Sequence, residues 1–161
     1  MSVNKHLSHI FVLPEDDANS DLANGFHQEV AQNRYRQMQA LPVAGGWLKV
    51  LECFKNDHIR DMQRFPQRFL VLLIDFDHQL ERLNQAEKVV PNELKDRVFV
   101  LGVLSEPEDL SRNERRSLEI MGMALAQDCR NDTYILWNHN LLKHNSSELE
   151  RLRQKVRQIL F

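Results

Sequence analysis

The sequence predicts a three-layer α/β/α sandwich of Rossmann-like type, built on a mostly parallel sheet of four to five strands. Three observations point there. Short apolar runs such as residues 69–74 (FLVLLI) and 98–103 (VFVLGV) lack the polar alternation of a half-exposed strand, as expected when both faces of a parallel sheet are covered. Stretches with apolar residues at helical spacing separate those runs. The connections are short, which calls for right-handed helical crossovers between parallel neighbours.

The elements follow in order. Residues 9–13 (HIFVL) form a β-favouring run ended by Pro14. After the polar turn 15–20, Leu22, Phe26 and Val30 recur four residues apart, predicting a helix with Asn19 or Ser20 as its N-cap. Residues 38–43 supply a weak second strand, broken by Pro42 and closed by Gly45-Gly46. Trp47, Val50, Leu51 and Phe54 repeat at i, i+3, i+4 and i+7, an amphipathic helix. The third strand, 69–74, stops at Asp75-Phe76-Asp77-His78. Residues 87–96 are the least regular and are expected to loop over the surface. The fourth strand, 98–103, runs into Leu104-Ser105-Glu106-Pro107-Glu108. A helix is expected to start at Ser111, in a capping box with Glu114, and to bury Leu118, Met121, Leu125 and Cys129. Residues 133–137 read as a short fifth strand. The closing helix begins near Ser147, with Glu150 three residues on, and buries Leu149, Leu152, Val156, Ile159 and Leu160.

At 161 residues, 42% hydrophobic and 27% charged, the chain reads as one domain, 1–161, able to bury a core without staples. The net charge of −2 gives no global basic field, although 21 Lys and Arg leave room for a local basic face. Cys53 and Cys129 are far apart, show no Cys/His metal spacing, and read as reduced, partly buried thiols. The first ten residues hold Lys5, His6 and His9 without a long apolar run, and no stretch approaches the ~18–20 apolar residues of a membrane span. A cytoplasmic protein without membrane contact is expected.

In a parallel α/β sheet, ligands bind beyond the carboxyl ends of the strands, near the point where strand order reverses. Acids gather at that end: Glu15, Asp16 and Asp17 after the first strand, Asp75 and Asp77 after the third, Glu106 and Glu108 after the fourth. Crowded carboxylates repel one another. A bound divalent cation compensates, and an all-oxygen ligand set favours Mg²⁺ or Mn²⁺. In an extended chain residues i and i+2 point the same way, so Asp75 and Asp77 are expected to reach one ion. The competing reading has Asp16 or Asp17 capping the first helix and the other acids simply solvated.

This order of acids resembles the TOPRIM family, the catalytic domain shared by type IA and II topoisomerases, DnaG-type primases, OLD-family nucleases and RecR-like repair proteins. That domain carries a Glu after its first strand and an Asp-x-Asp after its third, on neighbouring strands. Glu15 in HIFVLPEDD fits the first position, and Asp75 and Asp77 in VLLIDFD fit the pair. Gly45-Gly46 looks like the glycine turn often seen there, and Glu106 or Glu108 could match the further acids of OLD-type members. Asp16 follows Glu15 where the family usually has Gly. The resemblance covers roughly residues 8–110, leaving the helix-strand-helix of 111–161 as an addition.

The resemblance implies metal-assisted phosphoryl transfer on DNA or RNA. Asp75 and Asp77 would hold Mg²⁺, and Glu15 would act as general base or acid or complete the metal shell. Tyr35 and Tyr134 have no context that would make either a covalent nucleophile, which favours a nuclease or primase-like accessory over a topoisomerase. A chain of this size with no added nucleic-acid module is expected to have a protein partner in a larger complex. Its sequence fixes no oligomeric state, although Trp47, Trp137 and the terminal Ile159-Leu160-Phe161 are interface candidates.

Two other readings compete. A receiver-like signalling domain also places acids after strands one and three, and Ser105 supplies its hydroxyl. It needs a Lys after the fifth strand, where Asn138-His139-Asn140 stand and the nearest Lys is Lys143. A catalytically silent α/β interaction module is the other. Among lesser signals, His78 is a candidate proton-handling group beside the Asp pair. His139 and His144 only loosely resemble an HNH motif. Arg60, Arg64 and Arg68, with Lys55 and His58, make a basic strip that could touch a phosphate backbone.

Overall fold

The computed structural model of the chain describes residues 2–161. Its elements are β1 (His9–Pro14), α1 (Asp17–Gln28), β2 (Met38–Ala40), α2 (Trp47–Cys53), α3 (Ile59–Arg64), β3 (Arg68–Leu73), α4 (Glu81–Lys88), β4 (Val98–Leu101), α5 (Pro107–Glu114), α6 (Leu118–Asn131) and α7 (Ser146–Leu160). A π-helical turn over Phe54–His58 joins α2 to α3. The four strands form one all-parallel sheet in the order β2-β1-β3-β4, with Ile10 beside Met38, Val12 beside Val71 and Leu72 beside Val100. The chain therefore moves one way from β1 to β2 and returns on the other side of β1 with β3. The crevice between the carboxyl ends of β1 and β3 is the switch point of this sheet.

Side chains alternate across each strand into two apolar layers. Ile10, Val12, Val71, Phe99 and Leu101 face α1, α6 and α7. Phe11, Leu13, Leu70, Leu72, Ile74, Val98 and Val100 face the layer of α2, the π-turn, α3 and α4. Both faces are thus covered, which is the three-layer sandwich that unbroken apolar strands predict. In the first layer α1 and α6 meet backbone to backbone. A Cβ on Gly122 would lie 2.1 Å from the Leu22 carbonyl oxygen, and one on Gly25 would lie 2.0 Å from that of Glu119.

Several sequence expectations are corrected. The fifth strand is absent: 133–134 are irregular and 135–138 form turns, because the buried Asp128 carboxylate on α6 gathers this segment. It accepts from Thr133 Oγ1 (2.6 Å) and from the backbone N–H of Ile135, Leu136 and Trp137 (3.1, 2.8 and 3.2 Å). N–H groups drawn to one carboxylate are not free to form a strand ladder. The helix expected from Ser111 is two helices. Pro107 starts α5 earlier, Arg115 in the left-handed conformation (φ 55°) ends it, and the Ser117 hydroxyl caps α6 at Ile120 N–H. The cap of α1 is Asp16 rather than Asn19 or Ser20. Residues 87–96 include the end of α4 and a 3-10 turn, Asn92–Leu94, anchored by the fully buried Leu94.

The basic strip also loses a member, since Arg68 is buried and donates through Nε to His9 Nε2 at 3.0 Å. Among the described residues, no strand pairs with the outer edge of β4. Side chains from α7 and the turn before it occupy that edge instead. Val100 N–H donates to Glu148 Oε2 (2.9 Å) and Gly102 N–H to Asn145 Oδ1 (3.1 Å). Asn145 Nδ2 donates to the Gly102 carbonyl (2.9 Å), and Arg151 to that of Val98 (3.2 Å). Unpaired strand edges invite pairing with other chains, and these contacts remove that opportunity. No described helix is long and apolar enough to cross a membrane.

Candidate metal centre

β1 and β3 run side by side, so the residues that follow them are set down together. Glu15 N–H donates to the Leu73 carbonyl at 2.9 Å, extending the ladder by one residue. The Glu15 carboxylate turns back across the crevice, where its Oε2 accepts from Asp75 N–H at 2.6 Å. Asp16, at the N-cap of α1, accepts from Asn19 N–H at 3.0 Å. Asn19 is fully buried, and its amide nitrogen donates both to Asp16 Oδ1 (2.9 Å) and to Asp75 Oδ1 (2.8 Å). One side-chain amide thereby holds two carboxylates from different strands in fixed positions. The ligand atoms of Glu15, Asp16 and Asp75 all lie within 4.8 Å of one another.

The electrostatics follow from crowding and partial burial. Burial pushes the Asp75 carboxyl up to about 7, with the Asn19 bond opposing and the Glu15, Asp16 and Glu108 charges adding to the rise. Glu15 is raised by burial, against which the Asp75 N–H bond works, and Asp16 adds to the rise. Glu108, in the first turn of α5, is raised by burial and then by Glu106 and Asp16. The crevice resists carrying its full negative charge. A cation there would reverse the penalty, and an all-oxygen donor set fits Mg²⁺ or Mn²⁺.

The surroundings fix the backbone of this crevice. Gly45 and Gly46 both have positive φ (96° and 152°), and the turn closes on β1 through Ala44 N–H to Pro14 O and Gly45 N–H to Glu15 O (3.0 and 2.8 Å). A Cβ on Gly46 would meet nothing within 4 Å, so the dihedral rather than space demands glycine there. The turn brings Trp47 N–H against the Glu15 carboxylate, where it favours the charged form. Below Asp75, Arg82 Nη1 donates to its carbonyl at 2.7 Å, and the guanidinium lies 4.6 Å over the Trp47 ring.

The structure brings only some of the expected acids together. Asp77 is a correction: its φ of 50° breaks the extended geometry on which a shared face with Asp75 depends. Its exposed carboxylate instead faces Arg82 at 3.7 Å. His78 is also left-handed (φ 58°) and exposed, with its N–H on the Leu104 carbonyl at 2.7 Å. Asp17 is exposed in the first turn of α1. Glu106 occupies the N-cap position of α5 without a side-chain cap bond and is exposed, while half-buried Glu108 faces the cluster.

Of the two HNH-like histidines, His139 accepts from Leu141 N–H through Nδ1, and the ring of His144 packs edge-on to Phe76 at 5.0 Å. Sequence reasoning missed Asn19 as a link between carboxylates and missed Arg82 altogether. By sequence Asn19 reads only as a cap, and nothing in the spacing of Arg82 marks its contacts with Asp75 and Trp47. Compared with protein-family models, with curated proteins and with solved structures, the chain matches none of them.

Proposed function

We propose that this chain is a TOPRIM-like domain that carries out Mg²⁺- or Mn²⁺-dependent phosphoryl transfer on nucleic acid, as a nuclease or primase-like accessory. The observation that carries the reading is the convergence of Glu15 and Asp16, after β1, with Asp75, after the adjacent β3, at the switch point of a parallel sheet. Asp16 takes the place that the resemblance gives to Asp77.

When bound, a divalent ion at these oxygens supplies positive charge to a phosphate and stabilises the charge that develops on its oxygens. The chain's own residues do the rest. Asn19 orients Asp16 and Asp75, and Arg82 fixes the backbone from which Asp75 projects. Glu15, with its carboxyl raised and its Oε2 on Asp75 N–H, is placed to take a proton from an attacking water or return one to a leaving oxygen. Glu108, in the first turn of α5, adds its charge to the cluster. DNA or RNA contact through a local surface, a protein partner within a larger complex, and a cytoplasmic location belong to the same reading.

The receiver-like alternative has less support. Residues 133–137 form no strand, and Lys143 lies exposed in a 3-10 turn. The test is calorimetric titration of Mn²⁺ and Mg²⁺ into the wild-type chain and into Asp75→Asn and Glu15→Gln variants, followed by cleavage assays on single- and double-stranded DNA and RNA. Saturable binding lost in Asp75→Asn, with metal-dependent cleavage lost in Glu15→Gln, supports the proposal. Equal or absent metal binding in all three proteins overturns it and leaves an interaction module.

A further inference from the structure

The π-turn between α2 and α3 builds a second cluster of metal-binding side chains. In an α-helix residue i+5 lies about 140° round the axis from residue i. A π-turn, with its i→i+5 bonds, brings i+5 back over i. Here Ile59 N–H bonds the Phe54 carbonyl in that pattern, and His58 comes over Cys53. Cys53 Sγ lies 3.4 Å from Asp57 Oδ2 and 3.8 Å from His58 Nε2. Cys53 and His58 are half-buried and Asp57 is exposed, so the group is open to solvent from one side.

We infer that Cys53, Asp57 and His58 form a cation site for a soft or borderline divalent ion of the zinc class, separate from the acidic crevice. Zinc binds sulfur at ~2.3 Å and nitrogen or oxygen at ~2.0–2.2 Å, so two ligands on a tetrahedral ion stand roughly 3.3–3.6 Å apart. The sulfur already stands at about that separation from both partners. Among the described residues, only Glu15, Asp16 and Asp75 have three ligand atoms within 4.8 Å of one another. The remaining gap is between Asp57 and His58, so occupation of the site requires the exposed Asp57 side chain to turn toward His58.

The chemistry of the three groups suits such an ion. The His58 imidazole is held neutral by burial, opposed by Asp57 and Asp61 and assisted by Arg68, and a neutral ring is the ligating form. Its Nδ1 is buried without a hydrogen-bond partner. The Cys53 thiol is raised by burial and by Asp57, so it carries its proton until a cation arrives. Binding forms metal–sulfur, metal–nitrogen and metal–oxygen bonds, releases the thiol proton to solvent and leaves a fourth position for water. Sulfur and imidazole select zinc or cobalt, whereas the all-oxygen crevice selects magnesium or manganese.

The test is titration of Co²⁺ into the chelator-treated full chain, read by its thiolate-to-cobalt absorption, with Zn²⁺ as competitor. A saturable band is expected, displaced by Zn²⁺, lost in Cys53→Ser and weakened about tenfold or more in His58→Gln. It should persist in Cys129→Ser and in the Glu15→Gln and Asp75→Asn variants of the crevice. No band in the wild type, survival of the band in Cys53→Ser, or its loss in Cys129→Ser overturns the inference. Should Cys53→Ser fold poorly, His58→Gln decides, since unchanged affinity there rejects the site.

Discussion

The backbone N–H of Asp75 points into the carboxylate of Glu15, 2.6 Å from its Oε2, so the second residue beyond β3 is tied to the first residue beyond β1. This bond fixes where two acids stand but also sets Asp75 among anions. Its carboxyl rises from an ordinary 3.8 to about 7, chiefly through burial.

That shift fixes a pH dependence. The folded chain holds the Asp75 proton more tightly than the unfolded chain, so between about pH 4 and pH 7 the folded state binds more protons. Stability therefore falls as pH rises through this window, and the full penalty is present above pH 7. After discounting for solvent screening the loss is on the order of 1–3 kcal/mol. Asp75→Asn should flatten this part of the profile and raise the melting temperature at pH 8 without divalent ions, while abolishing metal binding. Thermal unfolding from pH 4 to pH 8 checks both; a variant less stable than wild type at pH 8 would contradict the assignment.

A second expectation concerns the contact of α1 with α6. Gly122→Ala would put a methyl group 2.1 Å from the Leu22 carbonyl oxygen and 2.8 Å from Phe26 N, both backbone atoms that move only if a helix moves. The helices must separate, at a cost of about 1–3 kcal/mol or more. Urea unfolding should show a lower midpoint with an unchanged slope. Gly46→Ala, which meets no atoms, should instead show only the smaller strain of its positive φ.

The Asp128 cluster yields a third. Asp128→Ala leaves the N–H groups of Ile135, Leu136 and Trp137 without their acceptor, which costs about 3 kcal/mol. The Trp137 indole, which donates to the Leu125 carbonyl at 3.0 Å, reports on the segment. Its fluorescence should shift to the red and become more easily quenched. Native-like emission with unchanged stability would show that the carboxylate does not organise these turns.

The sequence made most of the sheet legible. β1, β3 and β4 are covered on both faces and so read as unbroken apolar runs, and Glu15 and Asp75 were recognisable because each directly follows such a run. What escaped depends on contacts between distant segments. Thr133 to Trp137 has the composition of a strand, but Asp128 on the preceding helix gathers its N–H groups, and Arg153 on α7 takes the Thr133 carbonyl. Asp77 has the right spacing for a shared ion, but a left-handed turn bonded to the segment after β4 rotates it away. Ser111 and Glu114 match a capping box inside a helix that Pro107 had already begun. The pairing of Cys53 with His58 was hidden for a related reason, because α-helical spacing keeps i and i+5 apart until a π-turn joins them.

The side chains that close the outer edge of β4 come late in the chain. β4 ends at Leu101, whereas Asn145, Glu148 and Arg151 follow about 45 to 50 residues later. At ribosomal rates of ~5–20 residues per second, that separation is a delay of about 2–10 s in which the nascent sheet is complete but its last strand is bare. The interval is longer than hydrophobic collapse requires, so the emerging chain passes through a sticky stage that ends only when α7 docks. Truncation before Asn145 removes all three side chains and makes that stage permanent.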